Sequence, residues 1–441
     1  MAFTFIATSD VHLGRSSSRL PRHVQNERGP TTSALSQISS AALQYDVDAV
    51  AIAGDLIDDS NHFLEVYDAL DDFFKTLLEN EIHVIVTAGN HDFDTLPEFI
   101  NHWNWTPSDT NAGADLILLN NSSGWEQRTI TNKKGDLSVQ FMGWSFPTSH
   151  YREDPVSLLD EEMIKNDRPT IALVHGDLGN NESIYAPLNL ERIKPLDVQA
   201  WILGHIHKPE IVHSSDPFIC YPGSPKPLSP KESGSHHLTL VTCRANQQIE
   251  QKAVAPSLLY YQDVTIELSD DLHSDSLRSH CVTEIKNSNP SPFSSKYILA
   301  KVILTGRFGD LERINELEQE LVGNKFGNCY IHSVESLVEP ALNLQELATE
   351  KNPAGILAKA LLDIKAEQHN TFIESLRDQL KKTRKNLEHS ATFSLLDRLP
   401  AEEDDDIPDE DVASDTLIQQ AIYRMLYQLH QQKVKSEVYD G

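Results

Sequence analysis

Five short apolar runs, each long enough for a strand and each ending in the same kind of polar residues, constrain this chain more than anything else in it. Phe3 to Thr8 runs into Ser9-Asp10-Val11-His12-Leu13-Gly14, and Asp48 to Ala53 into Gly54-Asp55-Leu56-Ile57-Asp58. Ile82 to Val86 leads to Thr87-Ala88-Gly89-Asn90-His91-Asp92, Thr170 to Val174 to His175-Gly176-Asp177, and Ala200 to Leu203 to Gly204-His205-Ile206-His207. Between the second and third runs, Phe63, Leu64, Tyr67, Leu70, Phe74, Leu77 and Leu78 recur at a spacing that predicts a helix. Val139 to Phe146 reads as a further strand of the same core. Strands separated by helices make an α/β layered fold, in which ligands gather where loops leave the carboxyl ends of the strands.

Taken singly, each cluster has a bland reading, because Gly, Asn and Asp close turns for backbone reasons and a lone His is more often structural than functional. Recurrence at the same strand position argues against that reading. The inventory is Asp10, Asp55, Asn90, His12, His175, His205 and His207, with His91 beside them. Mixed oxygen and imidazole donors suit Mn, Fe or Zn rather than Ca or a thiolate zinc site. Asp10-x-His12 and His205-x-His207 each put two side chains on one side of an extended segment. Two ions about 3.5–4 Å apart stabilise the entering and leaving oxygens of an in-line displacement, which predicts phosphoester hydrolysis.

Net charge cuts against a nucleic-acid substrate. The 441 residues carry a formal charge of −29, and removing the eight acidic residues between Glu402 and Asp411 still leaves −21. A protein that binds a polyanion by counterion release needs a basic face, so metal cations, a local arginine patch or a partner must offset this field. Arg15, Arg19, Arg22 and Arg28 follow the first motif, and Lys208, Lys226 and Lys231 the last. They are candidate phosphate contacts, which position a substrate without reading its sequence. Cys220, Cys243, Cys281 and Cys329 are widely spaced, which argues against a disulfide scaffold and a Cys-type zinc site. The first residues read as a strand rather than a leader, and no apolar run approaches membrane-spanning length. A cytoplasmic protein is expected.

Asp-x-His, Gly-Asp-x-x-Asp, Gly-Asn-His-Asp, a His after a strand, and Gly-His-x-His stand here in the order of the calcineurin-like metallophosphoesterases, and the chain resembles that superfamily. The resemblance implies one metal on Asp10, His12, Asp55 and His207. It implies a second on Asp55, Asn90, His175 and His205, with Asp55 bridging. His91 matches the histidine that contacts the scissile phosphate and can protonate the leaving oxygen, and Asp92 is read as support. The implied fold is a two-layer mixed β-sheet sandwich flanked by helices. Ser9 to Arg15, Tyr221-Pro222-Gly223-Ser224-Pro225 and a closing strand at Gly234 to Val241 look like the SbcD-type DNA repair exonuclease branch. Resemblance to that branch implies a two-metal DNA nuclease, with Mn²⁺ as the expected ion, acting on single-stranded DNA or ends in repair or antiviral defence. A small-molecule phosphodiesterase acting on cyclic nucleotides or dinucleotides, and a non-catalytic adaptor for an ATPase, are the alternatives. The first differs only in substrate; the second would be marked by a lost ligand, and none is lost.

After the nuclease domain (1–254), Val264 to Leu268, Tyr297 to Leu304 and Cys329 to Val334 read as strands, with helices at Asp275 to Ile285 and Asp310 to Leu321. They predict a small α+β capping domain over 255–340. The region 341–441 reads as helices: Ile356, Leu357, Ala360, Leu361 and Ile364 on one stripe, a basic-leaning helix over Phe372 to Leu387, and an acidic linker at about 400–412. A last helix, Thr416 to Lys433, carries Ile418, Ile422, Met425, Leu426 and Leu429 on one face. Either it packs on its own core or it docks on a partner. The resemblance points to an SbcC-type coiled-coil ATPase and leaves a homodimer open. With no P-loop in the chain, any ATP-driven step belongs to another protein.

Overall fold

The computed structural model describes residues 1–21, 30–58, 64–103, 113–120, 124–165, 167–288, 296–366, 368–388 and 410–439. They fall into two compact units. The first comprises Met1–Asp263, Ile285–Lys301 and Gly323–Ser333; the second comprises Val264–Glu284, Val302–Val322 and Val334–Gly441. The 255–340 segment, expected as one α+β domain, is divided between them.

The first unit is built on β1 (Ala2–Thr8), β2 (Ala49–Ala53), β3 (His83–Thr87), β4 (Leu116–Leu118), β5 (Glu126–Thr131) and β6 (Ser138–Trp144). It continues with β7 (Thr170–His175), β8 (Ala200–Gly204), β9 (Glu210–His213), β10 (Phe218–Tyr221), β11 (Leu238–Arg244) and β12 (Ile249–Val254). These make two six-stranded sheets, ordered β12-β11-β1-β2-β3-β4 and β5-β6-β7-β8-β10-β9. Strands β1 to β4 run parallel, as do β6, β7, β8 and β10; antiparallel strands lie at the β12 edge of the first sheet and at both edges of the second. Parallel strands covered on both faces read as continuous apolar runs, which is why the sequence announced them.

Side-chain alternation assigns each face. Phe3, Phe5 and Ala7 of β1 and Ala49, Ala51 and Ala53 of β2 face the second sheet, where Phe141, Ile171, Leu173 and Ile202 meet them. The alanines leave room that aromatics fill, with the Phe5 and Phe141 rings edge-on at 5.5 Å between centroids. Ile6, Val50, Ile52, Val84 and Val86 point the other way, against Ile38, Leu70, Phe74 and Leu77 of helices α1 (Pro30–Gln44) and α2 (Leu64–Glu79). Among the described residues, only this first sheet is flanked by long helices. The outer face of the second, with Met142, Trp144, Trp201 and Leu203, lies under short helical turns and loops bearing Val156, Leu188 and Ile193. The strand expected from Gly234 begins only at Leu238, because His236 is drawn into hydrogen bonds with Ser224 and Glu232.

A third sheet contains β13 (Leu259–Leu268), β14 (Tyr297–Phe308), β15 (Lys325–Phe326), β16 (Cys329–Ser336) and β17 (Glu339–Pro340). In the second unit, Leu311–Leu321 is a helix whose Asp310 caps the Arg313 amide. Three further helices span Pro353–Lys365, Thr371–Glu388 and Glu410–Tyr439. Ile418, Ile422 and Leu426 of the last are buried with Leu357, Leu361 and Ile373, and Arg377 grips Asp415 through two 2.6 Å bonds. Of the two readings of this stripe, packing or docking, the structure takes packing within the chain, and Met425 stays exposed. Ile356, placed on the buried stripe, is also exposed, because Ala358 takes the inward position. The segment 400–409 of the acidic linker lies outside the described residues. Among the described residues no helix is long and apolar enough to cross a membrane.

Candidate metal centre

All five polar clusters follow carboxyl ends of parallel strands, three from the first sheet and two from the second. Their side chains converge. The Nε2 atoms of His12 and His207 lie 3.2 Å apart, with Asp10 Oδ1 3.8 Å from the latter. Asp55 Oδ2 is 3.8 Å from His12 Nε2 and 3.2 Å from His175 Nε2, so one oxygen faces both groups. Asn90 Oδ1 stands 3.0 Å from His175 Nε2. The ring of His205 approaches that of His175 at 5.5 Å, and its backbone N–H donates to Asp10. His91 is half-buried, its ring edge against His12 at 4.8 Å, and its N–H donates to Asp55 Oδ1.

The supports fix which atoms point inward. His12 Nδ1 lies 3.1 Å from Asp58 and His207 Nδ1 3.1 Å from Glu232, while His175 Nδ1 faces the Ala53 carbonyl at 3.1 Å. An imidazole that donates from Nδ1 presents a lone pair at Nε2. Two such lone pairs 3.2 Å apart repel unless a cation lies between them, so the donor set fits a divalent metal. Asp10, His12, Asp55 and His207 could hold one ion, and Asp55, Asn90, His175 and His205 another. Burial lowers the His12 pKa despite Asp58 and Asp55 beside it. For Asp55, burial opposes ionisation, but the His175, His12 and His91 rings together outweigh it and hold the carboxyl well below its usual range. His175 is raised in turn, so a metal bound there competes with a proton.

The motif glycines have a steric reason. A Cβ on Gly54 would sit 2.4 Å from His175 Nδ1, and one on Gly204 2.5 Å from the same atom and 1.8 Å from the Ala53 oxygen. His175 fills a slot between two sheets that only glycine leaves open. Asp10, His12, Asp55 and His205 all have positive φ, at 51°, 45°, 51° and 98°. Each such non-glycine residue costs about 1–3 kcal/mol and persists only where its surroundings over-determine it. Asp92 stitches two loops together: its Oδ2 accepts from Leu56 and Ile57, and its Oδ1 from Gly89.

The expected basic patch is only partly realised. Arg15 is half-buried and Arg19 exposed, and Lys208 and Lys231 are exposed; Arg22 and Arg28 lie outside the described residues. Lys226, expected among the phosphate contacts, is 5% exposed with its Nζ 3.3 Å from the Arg15 carbonyl. It props a loop instead. Sequence reasoning missed Glu232, which stands 25 positions from the ring it touches, a separation at which no local pattern operates. It also missed Tyr185, whose ring lies 5.0 Å from His205.

The calcineurin-like phosphoesterase family model matches residues 3–209. Among curated proteins, the chain is 27% identical over 251 residues to the uncharacterized metallophosphoesterase YhaO of Bacillus subtilis (strain 168), covering 54% of this chain and 57% of that protein. It is 26% identical over 234 residues to the DNA double-strand break repair protein Mre11 of Nanoarchaeum equitans (strain Kin4-M), covering 48% of this chain and 60% of that one. The chain thus spans less than two thirds of the length of either relative. Similar solved structures include the calcineurin-like phosphoesterase YfkN from Bacillus subtilis (TM-score 0.36, 15% identity, 57% of this chain and 88% of that one). A dimetal phosphatase from Danio rerio is another (TM-score 0.33, 16% identity, 54% and 92%). All five motifs assemble at one rim within the span of the family model, so residues 3–209 are a calcineurin-like phosphoesterase domain.

Proposed function

We propose that this protein is a two-metal DNA nuclease that hydrolyses phosphodiester bonds with Mn²⁺ and works with a coiled-coil ATPase in repair or defence. The observation that carries the reading is the shared Asp55 oxygen between two convergent donor groups, with His91 beside them. Similarity to a protein named for DNA double-strand break repair favours DNA over other phosphoesters. Two divalent cations in the site would polarise the scissile phosphate, activate water and offset the chain's negative field.

The chain's own residues do the rest. His12, His175 and His207 are held in one tautomer by Asp58, Ala53 and Glu232, so their donor atoms need little reorganisation. His91 is fixed through its backbone to Asp55 while its ring stays accessible. It can therefore meet the phosphate and give a proton to the leaving oxygen. Arg15 and Arg19 extend the contact along the backbone. ATPase docking falls to surfaces other than the Ile418, Ile422 and Leu426 stripe, which the second unit uses for its own core.

His91→Ala should leave Mn²⁺ binding near wild type and cut turnover at least about 10²-fold, the scale of lost acid catalysis. Cleavage of 5′- and 3′-labelled single- and double-stranded oligonucleotides, with and without an ATPase, is the assay. Unchanged cleavage by the variant sinks the role of His91. Hydrolysis of cyclic nucleotides or dinucleotides with none of DNA replaces the nuclease by a small-molecule phosphodiesterase.

A further inference from the structure

The loop from Pro222 to His236 lies beyond the residues that carry the family motifs, yet it closes on His207 from two sides. On the backbone side, the Ser224 N–H donates to the His207 carbonyl at 2.8 Å. Gly223 (φ +71°) lets the loop pass, since a Cβ there would meet that carbonyl at 2.4 Å. On the ring side, Glu232 Oε1 lies 3.1 Å from His207 Nδ1, and Oε2 takes the Leu228 N–H at 2.7 Å. His236 reaches from the Glu232 carbonyl to Ser224, so both ends of the loop are tied together. The Glu232 side chain is only 11% exposed, so its carboxylate is committed to these partners.

We infer that Glu232 is a positioning residue for the cation held through His207: it takes the Nδ1 proton and aims the Nε2 lone pair into the site. The inference rests on the two-metal reading of the rim. It gives the Asp10, His12, Asp55, His207 group an imidazole backed by carboxylate at each histidine, Asp58 behind His12 and Glu232 behind His207. The neighbouring group differs, with His175 backed by a backbone carbonyl. A carboxylate partner raises the basicity of the ligand and locks its ring, and losing such a partner typically weakens metal affinity about 10–100-fold. The effect of Glu232 must therefore fall on one ion of the pair.

Glu232→Gln is nearly isosteric, but its single acceptor cannot serve both Leu228 N–H and His207 Nδ1–H. The test is a Co²⁺ titration of the full chain by calorimetry and visible absorption, with thermal unfolding of the metal-free protein beside it. The expected result is two equivalents bound by wild type and one of them weakened about 10–100-fold in the variant. Its absorption band should shift, while the other equivalent and the metal-free melting curve stay unchanged. Glu232→Asp keeps the charge but withdraws it by one methylene, and should lie between the two; it carries the comparison if Glu232→Gln melts early. Superimposable isotherms and spectra for wild type and both variants overturn the inference and leave the two-metal reading standing. Equal weakening of both equivalents overturns it as well. A wild-type protein that binds no Co²⁺ removes the two-metal reading itself, and the inference with it.

Discussion

Gly204→Ala tests whether the two sheets really leave a slot one imidazole wide. The new Cβ would stand 1.8 Å from the Ala53 oxygen and 2.5 Å from His175 Nδ1. Neither neighbour is a flexible chain end: Ala53 ends β2, and His175 is paired in register with Gly204 itself. One strand end must shift. Overpacking of this kind costs about 1–3 kcal/mol, and breaking the 3.1 Å bond from His175 to the Ala53 carbonyl adds about 1 kcal/mol. The expected loss is about 2–4 kcal/mol. Displacing His175 should also weaken one Mn²⁺ equivalent about tenfold or more, the scale for a disturbed ligand support. All five tryptophans lie between Trp103 and Trp201, so their fluorescence in a urea titration reports the unit that holds the site. Gly113→Ala, where a Cβ meets nothing within 4 Å, is the control and should stay within about 0.5 kcal/mol of wild type. If Gly204→Ala matches that control and binds Mn²⁺ like wild type, the steric argument for the slot is wrong.

Asp92→Asn keeps the shape of the side chain but leaves one acceptor oxygen for three buried N–H groups, those of Leu56, Ile57 and Gly89. At least one faces an NH₂, and the urea midpoint should fall by the equivalent of about 1–3 kcal/mol; an unchanged midpoint would show that Asp92 does not join these loops. Burial pushes the Lys226 amine from its ordinary 10.5 down to about 7, against the opposing pull of Glu232. Between those values the unfolded chain binds the proton and the folded chain does not, so stability rises with pH across that window and is lost as pH falls toward 7. The slope is at most about 1.4 kcal/mol per pH unit. Urea midpoints from pH 7 to 9.5 should climb less in Lys226→Met than in wild type, and parallel curves would refute the assignment.

The sequence by itself determined the five strands that carry the polar clusters, with β6 beside them, and the identity of the polar residues at the ends of the five. Strands buried on both faces must be apolar throughout, and turns that follow them are short, so both signals are local. Helix 64–79 was legible for the same reason, because its apolar face repeats with the period of its own geometry. The features left open depend on register between segments far apart in the chain. Pairing His175 with Gly204, and β2 with β3 at Ala53 and Thr87, brings one Asp55 oxygen between His12 and His175. Glu232 and His207 meet only because a loop folds back over a strand end. Lys226 looked like a substrate contact and became a buried prop, since its charge says nothing about the carbonyl above it. The apolar stripe at Ile418, Ile422 and Leu426 was equally consistent with docking and with packing; tertiary structure decided for packing, because Leu357, Leu361 and Ile373 needed the same cover from water.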